Sequence, residues 1–348
     1  MRTRRGAPGW ARIASYAGML LVASCAPAPA PPPEEPIPLP DPSPVPPPVT
    51  TVRPPPEGFV DAGGGTRLWY RVRGTGPDTL LVPLGTLLEP SLAALASRFT
   101  LVLYDPRQRL RSDPVPDSTQ ADSTQLDSTQ ASFANAVRDL EAVRQALGIS
   151  RASVIGYDYL AAVALGWAAW QPDRVNRVVL LSPIEPTDSL ALIYDPPERL
   201  ARLDTTLARG LVKMRAAGRD TTDPVGYCRA FWRVNAPIFV GDTTRATLVN
   251  PTWCDSLHET PARLARHLSL VLGSLGPARD FRQIARQVRA PVLIVQGERD
   301  LVVNPAGAGV WARALPSARA VMLPGVGHLP FLEAPGPLIQ ELTGFLGR

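Results

Sequence analysis

The chain has 348 residues, and hydrophobic side chains make up 45% of them, which is enough to build one large globular domain. Its formal net charge of +5 comes almost entirely from arginines that are spread along the chain. Because these arginines form no basic stripe, the composition excludes a typical nucleic-acid-binding surface.

The first 25 residues have the pattern of an export signal. Basic residues up to Arg12 precede an apolar stretch from Ile13 to Ala23, which is too short to span a bilayer. The adjoining Val22-Ala23-Ser24-Cys25 resembles the cleavage site of a bacterial lipoprotein signal, with Cys25 as the lipidated residue. The resemblance implies an exported protein with a lipid anchor in the cell envelope, at the outer membrane where there are two membranes, because Ala26 follows the cysteine. An ordinary secretory signal is the alternative.

Residues 26 to 56 form a proline-rich segment. Nearly every second residue there is proline, which predicts an extended polyproline-II tether with few backbone donors. At about 3.1 Å per residue, such a tether spans roughly 90 Å. We therefore expect the folded domain to occupy residues 57 to 348.

From residue 57 onward, short runs of Val, Leu and Ile alternate with helical patterns, which is typical of a mostly parallel sheet covered by helices on both faces. The predicted strands are Gly58–Val60, Thr66–Val72, Thr79–Leu84, Thr100–Tyr104, Ala152–Tyr157, Val175–Leu181, Pro291–Gln296 and Ala318–Leu323. The predicted helices are Leu88–Ser97, Phe133–Leu147, Tyr159–Trp170, Pro305–Leu315 and Gly336–Leu346. The fold class is therefore α/β, a doubly wound sheet of eight strands, with the first two strands as an antiparallel edge.

The alternation of strands and helices stops between the sixth and seventh strands. Residues from about 186 to 279 carry Arg, Ala, Leu and Trp at helical spacing. A helical insertion at the carboxyl ends of the strands is where a sheet enzyme keeps its lid. Elsewhere, a five-residue repeat from Asp117 to Ala131 predicts a solvated surface loop.

Cysteine and histidine usage bears on redox state and metal binding. Export to an oxidising compartment would allow Cys228 and Cys254 to form a disulfide, and two buried thiols are the alternative. No His/Cys cluster has the spacing of a metal site, and no Gly-x-Gly-x-x-Gly fingerprint follows a strand. We expect no metal and no cofactor.

Three short motifs each stand at the end of a different predicted strand. Gly156-Tyr157-Asp158-Tyr159 follows the fifth strand, Gln296-Gly297-Glu298-Arg299-Asp300 ends the seventh, and Pro324-Gly325-Val326-Gly327-His328 follows the eighth. In this order they resemble the nucleophile, acid and histidine loops of the α/β-hydrolase fold. The resemblance covers the whole predicted domain.

The lid adds a second resemblance. Its stretch from Gly226 to Arg233, with Trp253-Cys254 downstream, is similar to the helical cap of the proline-iminopeptidase-like branch of that fold.

The resemblance implies a role for each motif residue. Asp300 would orient His328 as a general base, with Glu185 after the sixth strand as an alternative acid. The backbone N–H groups of Thr86 and Tyr159 would form an oxyanion hole. A turn or N-cap residue remains the structural alternative for Asp300, and a loop histidine remains the alternative for His328.

The sequence departs from the acyl-transferring members of the family where the nucleophile is expected. Asp158 stands in place of serine, and Leu84-Gly85-Thr86 replaces the usual His-Gly after the third strand. The Gly-rich turn after the fourth strand reads Arg107-Gln108-Arg109-Leu110-Arg111-Ser112. These changes affect the residues that carry out the reaction in the acyl-transferring members.

Three interpretations of Asp158 follow, and the sequence leaves them open. The carboxylate attacks an sp³ carbon, as in haloalkane dehalogenases and epoxide hydrolases, and His328 then activates water against the ester intermediate. Alternatively, Asp158 only caps the next helix, and the protein is a catalytically silent member that binds a ligand or partner. In the third interpretation, Asp158 and His328 together activate water against an ester or amide. A hydrolase of a small organic substrate is the function we expect.

Overall fold

The computed structural model describes residues 37, 39–40, 55–112, 131–188, 194–251, 253–256, 260–275 and 279–347. The predicted signal with Cys25, most of the proline-rich segment and the repeat up to residue 130 lie outside these residues. Ile37 is nevertheless buried in the main core, and Leu39 packs against it. This part of the expected tether is thus docked on the domain, because two large apolar side chains among the prolines find an apolar surface there.

An eight-stranded sheet organises the domain. Its strands are β1 Glu57–Asp61, β2 Arg67–Arg73, β3 Thr79–Pro83, β4 Thr100–Tyr104, β5 Ala152–Tyr157, β6 Val175–Leu181, β7 Val292–Gly297 and β8 Ala318–Leu323. They lie in the order β1-β2-β4-β3-β5-β6-β7-β8. β2 pairs antiparallel with both β1 and β4, and all other neighbours are parallel. The predicted fold class and antiparallel edge are confirmed.

The central strands are buried on both faces. Every residue of β5 and β7 is buried, and β7 begins with the apolar run Val292–Val295. Continuous apolar strands of this kind need helices on each side, because a parallel sheet has no face it can leave in water. Their carboxyl ends, where loops leave the sheet, carry the motif residues.

Thirteen α-helices occur in the described residues. They are α1 Gly85–Leu92, α2 Phe133–Ala146, α3 Tyr159–Trp170, α4 Pro197–Ala201, α5 Thr205–Ala216, α6 Arg219–Thr222, α7 Pro224–Phe239, α8 Trp253–Ser256, α9 Pro261–Gly273, α10 Arg282–Ala285, α11 Gly307–Ala314, α12 Pro330–Glu333 and α13 Pro335–Leu346. Short 3-10 helices cover Ala93–Ser97, Pro172–Arg174 and Thr243–Leu248. The first predicted helix begins three residues earlier than expected, because the chain turns directly after β3.

Helices α4 to α9 form the lid, inserted between β6 and β7 as predicted. Its two ends pair where they leave the sheet, since the N–H of Phe281 donates to the carbonyl of Pro186 at 2.8 Å. A disulfide between Cys228 and Cys254 joins α7 to α8. Among the described residues, no helix has both the length and the hydropathy that crossing a bilayer requires.

Candidate active site

Asp158 lies at a sharp turn between β5 and α3. Its backbone angles, φ 55° and ψ −127°, fall in a region that non-glycine residues seldom adopt. A Cβ on Gly156 would lie 2.4 Å from the carbonyl oxygen of Leu160, so only glycine permits the turn to close this tightly. The Asp158 side chain makes no capping hydrogen bond to α3. The turn therefore presents the carboxyl group without using it to cap the helix.

His328 and Asp300 form a buried pair at the ends of β8 and β7. Nδ1 of His328 lies 2.9 Å from Oδ2 of Asp300, and each residue is 1% exposed. The other carboxylate oxygen of Asp300 accepts the N–H groups of Val302 and Val303, and Gln296 donates to Oδ2 at 2.8 Å. A carboxylate facing Nδ1 holds the proton on that nitrogen and leaves Nε2 to accept one.

Burial and mutual attraction compete in the pKa values of this site. Burial raises the pKa of Asp158, and the charges of His328 and Arg109 oppose this without cancelling it. Burial disfavours the charged form of His328, but the carboxylates of Asp300 and Asp158 outweigh it, so the pKa of His328 is raised. Since Asp158 and His328 each stabilise the charged form of the other, the elbow and the histidine loop act on one site.

Glu185 is not the partner of His328. Its Oε1 accepts the backbone N–H of Asn304 at 2.7 Å. Burial raises the pKa of Glu185, which that hydrogen bond opposes. Of the two predicted acids, the structure places Asp300 against the imidazole.

The backbone N–H of Thr86 is already engaged. It donates to Oδ1 of Asp105 at 2.9 Å, and the Thr86 hydroxyl donates to Oδ2 at 2.6 Å. The predicted oxyanion hole therefore lacks its Thr86 donor, and of its two predicted donors the backbone N–H of Tyr159 remains. The hydrogen bond from this N–H favours the ionised form of the Asp158 carboxyl. Asp105 was missed from sequence, although its place directly after β4 is a typical one for a polar site residue.

The comparisons with known proteins agree with this fold. A family model for the alpha/beta hydrolase fold matches residues 83–335. The chain belongs to the α/β-hydrolase-fold family.

Several enzymes resemble it over most of its length. It is 28% identical over 289 residues to the pimeloyl-[acyl-carrier protein] methyl ester esterase of Chromobacterium violaceum, covering 80% of this chain and 98% of that protein. The enol-lactonase from Burkholderia xenovorans superposes with a TM-score of 0.60 at 22% identity, covering 84% of this chain and 100% of that one. The proline iminopeptidase of Mycobacterium smegmatis superposes with a TM-score of 0.60 at 21% sequence identity, covering 84% of this chain and 97% of that one. The two structural matches show the shared fold.

In this α/β-hydrolase-fold protein, the lid is fastened to the histidine loop. The N–H of His328 donates to the carbonyl of Phe239, the last residue of α7, at 2.8 Å. The buried carboxylate of Glu333 accepts the N–H of Gly241 from the lid and of Gly327 from the histidine loop, each at 2.8 Å. Sequence analysis missed Glu333, since nothing in its local sequence reveals a lid partner 92 residues away.

The lid also covers the acid loop of this α/β-hydrolase-fold protein. The Tyr194 hydroxyl donates to the carbonyl of Asp300, and Nε of Arg199 donates to the carbonyl of Leu301 at 2.8 Å. Throughout the described ranges, no three His, Cys, Asp or Glu side chains are grouped so that they could hold a metal ion.

Proposed function

We propose that this α/β-hydrolase-fold protein hydrolyses a small organic substrate, with Asp158 as the nucleophile, His328 as the base that activates water, and Asp300 as the residue that orients His328. The observation that carries the proposal is the strained turn at Asp158, whose carboxyl interacts electrostatically with a histidine that a buried carboxylate already holds. Strain of this kind costs about 1–3 kcal/mol and is concentrated at functional sites.

The proposed reaction has two steps. A carboxylate oxygen of Asp158 forms a bond to an electrophilic sp³ carbon, and the leaving group departs with the bonding electron pair. Water then attacks the carbonyl carbon of this ester while Nε2 of His328 takes a proton. The ester C–O bond breaks, and the product alcohol takes that proton. The second proton of the water leaves the Asp158 carboxyl for the solvent or the departed leaving group, so Asp158 returns as a carboxylate.

The backbone of Tyr159 serves the second step. Its hydrogen bond favours the charged form of the Asp158 carboxyl. The same donor would stabilise the negative oxygen that forms when water attacks the ester.

A second candidate is direct attack of water on an ester or lactone, with His328 and Asp158 sharing the activation. The names of two similar proteins, a methyl ester esterase and an enol-lactonase, favour it. Asp158 would then never become covalently bound.

Isotope labelling separates the two candidates. The full-length protein is assayed against short esters, lactones, epoxides and haloalkanes, and the best substrate is turned over once in ¹⁸O-labelled water. A nucleophilic Asp158 gives a first product that carries unlabelled oxygen and leaves label in the Asp158 peptide. Direct attack of water places the label in the product at once.

Variants at Asp158 complete the experiment. Asp158→Asn and Asp158→Ala abolish turnover under either route, whereas the exposed control Asp173→Asn does not. A wild type that is silent on the whole panel, with ester hydrolysis appearing only in Asp158→Ser, would contradict both routes. That result would identify a binding protein on a hydrolase scaffold.

We also propose, from the N-terminal sequence, that the protein is exported and lipid-anchored through Cys25. Metabolic labelling with palmitate should modify the wild type and not Cys25→Ser. Equal labelling of both would overturn the anchor.

A further inference from the structure

Gln296 places a buried amide group at the end of an apolar strand. It follows the run Val292–Val295 in β7 and is 1% exposed, where an amide is costly unless it forms hydrogen bonds. Its Nε2 donates to Oδ2 of Asp300 at 2.8 Å and to the carbonyl of Gly297 at 3.3 Å. Turning the amide over would bring its oxygen against these two acceptors. The donors of Gln296 are therefore directed at the acid.

This amide shares one carboxylate oxygen with the histidine. Oδ2 of Asp300 accepts both the Gln296 amide and Nδ1–H of His328. The other oxygen, Oδ1, accepts the backbone N–H groups of Val302 and Val303 at 2.8 and 3.0 Å. A carboxylate has about four lone-pair sites, and these hydrogen bonds use all of them. Gln296 thus competes directly with His328 for the charge of one oxygen.

The backbones of the acid and histidine loops are held together without this amide. A Cβ on Gly297 would lie 2.0 Å from the carbonyl oxygen of Gly327, so the two loops are in direct contact. The N–H of Arg299 also donates to the carbonyl of Val326 at 2.8 Å. Removal of the Gln296 amide should therefore leave the loops in place and change only the hydrogen bonding of the carboxylate.

We propose that Gln296 is a positioning residue that directs Oδ2 of Asp300 at the imidazole and, by sharing that oxygen, limits how strongly Asp300 stabilises the charged form of His328. A hydrogen bond to a carboxylate withdraws part of its negative charge, so less of that charge acts on the imidazole. The neutral imidazole, which activates water, is then available at lower pH. This use in catalysis rests on the proposed function, whereas the sharing of Oδ2 can be measured without a substrate.

Other groups act on the same pair and are unchanged by a substitution at Gln296. The rings of Tyr157 and Phe239 pack against the imidazole, with centroids 5.1 and 5.7 Å away. Titratable groups that interact electrostatically with His328 or Asp300 are Asp158, Tyr157, Glu185, Tyr194 and Glu333. A shift of the His328 titration in a Gln296 variant therefore reflects the loss of the amide.

An NMR titration of the full-length protein tests the proposal. The chain has three histidines, so ¹⁵N-histidine labelling gives few signals, and His328 is assigned by its loss in His328→Gln. Its titration midpoint is measured in the wild type and in Gln296→Met, which has a side chain of similar size and no donor.

The matched control is Gln145→Met. Nε2 of Gln145 also donates to a carboxylate oxygen, Oε1 of Glu141, at 2.8 Å. In both Gln145 and Gln296 the amide oxygen is buried, and none of the described residues donates to it. The control therefore removes the same kind of hydrogen bond from a carboxylate that does not bind His328.

We expect Gln296→Met to raise the His328 midpoint by about 0.5–1 pH unit, because the undivided charge of Oδ2 then favours the imidazolium. Gln145→Met should leave the midpoint unchanged. A purely structural role of Gln296 would lower stability in both variants and move the midpoint in neither. An unchanged or lower midpoint in Gln296→Met overturns the proposal, as does an equal rise in Gln145→Met.

The wild type provides a second measurement that does not require the variant to fold. With ¹⁵N-glutamine labelling and assignment by triple-resonance experiments, the side-chain amide signal of Gln296 should shift with the His328 midpoint. The signal of Gln145 should not, because its acceptor is not shared with the imidazole. A Gln296 signal that does not follow His328 overturns the proposal.

The two proposals fail separately. The expected rise of the His328 midpoint with no turnover on the substrate panel contradicts the proposed function alone. Turnover with an acidic limb that stays in place in Gln296→Met contradicts only the role of Gln296.

Discussion

The imidazole Nδ1 of His328 and the carboxylate of Asp300 meet at 2.9 Å with both side chains buried. Asp300→Asn keeps an oxygen for the N–H groups of Val302 and Val303 but turns an N–H group toward His328. The imidazole is then held in the wrong tautomer, and its charged form loses its counter-ion. We expect turnover to fall by about 10³–10⁴-fold. Because Gln296 also loses its acceptor on Oδ2, we expect the unfolding free energy to fall by about 1–3 kcal/mol. Steady-state kinetics and urea unfolding measure the two, and a loss below tenfold would contradict the assignment.

The acidic limb of the pH–rate profile should reflect the titration of His328. Activation of water needs the neutral imidazole, and nearby carboxylates raise the pKa of His328 above its ordinary value of 6.5 despite burial, so the rate falls as pH drops through that pKa. Glu185 contributes to this rise. Glu185→Gln removes this negative charge but keeps an acceptor for the N–H of Asn304. The acidic limb should therefore move to lower pH in that variant and stay in place in Asp173→Asn. A shift to higher pH would argue against this assignment.

Asp105 should make the fold more stable in mild acid. Burial raises its pKa from 3.8 to about 6, against the hydrogen bonds from Thr86. Because the folded-state pKa lies above the unfolded one, this contribution is fully present below about pH 4 and is lost as pH rises through about 6. The loss amounts to about 3 kcal/mol. Urea unfolding between pH 4 and 7 should show a flatter profile for Asp105→Asn, and identical slopes would refute the idea.

Two glycine substitutions should have opposite effects. Gly156→Ala forces a Cβ to within 2.4 Å of the Leu160 carbonyl, so we expect a destabilisation of about 3 kcal/mol and loss of the elbow geometry. Gly210→Ala meets nothing within 4 Å on exposed α5 and should stabilise the protein by about 0.5–1 kcal/mol. Thermal unfolding of both variants measures this, and a neutral Gly156→Ala would show that the elbow can relax.

Loss of the disulfide should loosen the lid and leave the sheet intact. The bridge closes a segment with a sequence separation of 26, which corresponds to about 3–4 kcal/mol of chain entropy. The double variant Cys228→Ala/Cys254→Ala should show faster amide exchange in α7 and α8, with exchange in β5 and β7 unchanged. Uniformly faster exchange would instead indicate that the lid and the sheet unfold together.

Sequence reasoning predicted the sheet well because its information is local. The buried strands are short runs of Val, Leu and Ile bounded by turns, and all eight lie where expected. The loops that carry Asp158, Asp300 and His328 follow directly from those strands. The positions of these residues were thus available before any contact was known.

What sequence reasoning missed depends on contacts between distant parts of the chain. Thr86 was expected to donate to a substrate oxygen, but it bonds Asp105, which is 19 residues away. His267 stands in a lid helix without a motif around it, and only the fold brings it to Tyr159, 108 residues earlier. Neither the hydrophobic periodicity nor the motif spacing of the sequence reveals such pairings.

The carboxylate of Glu333 has a consequence for engineering. It holds Gly241 of the lid and Gly327 of the histidine loop together, and a Cβ on Gly241 would lie 2.1 Å from the Gly325 carbonyl. The lid and the base are therefore not separable modules. A lid grafted from a relative would therefore shift the His328 imidazole together with the lid. Lid exchanges should keep residues 239 to 241 from this chain.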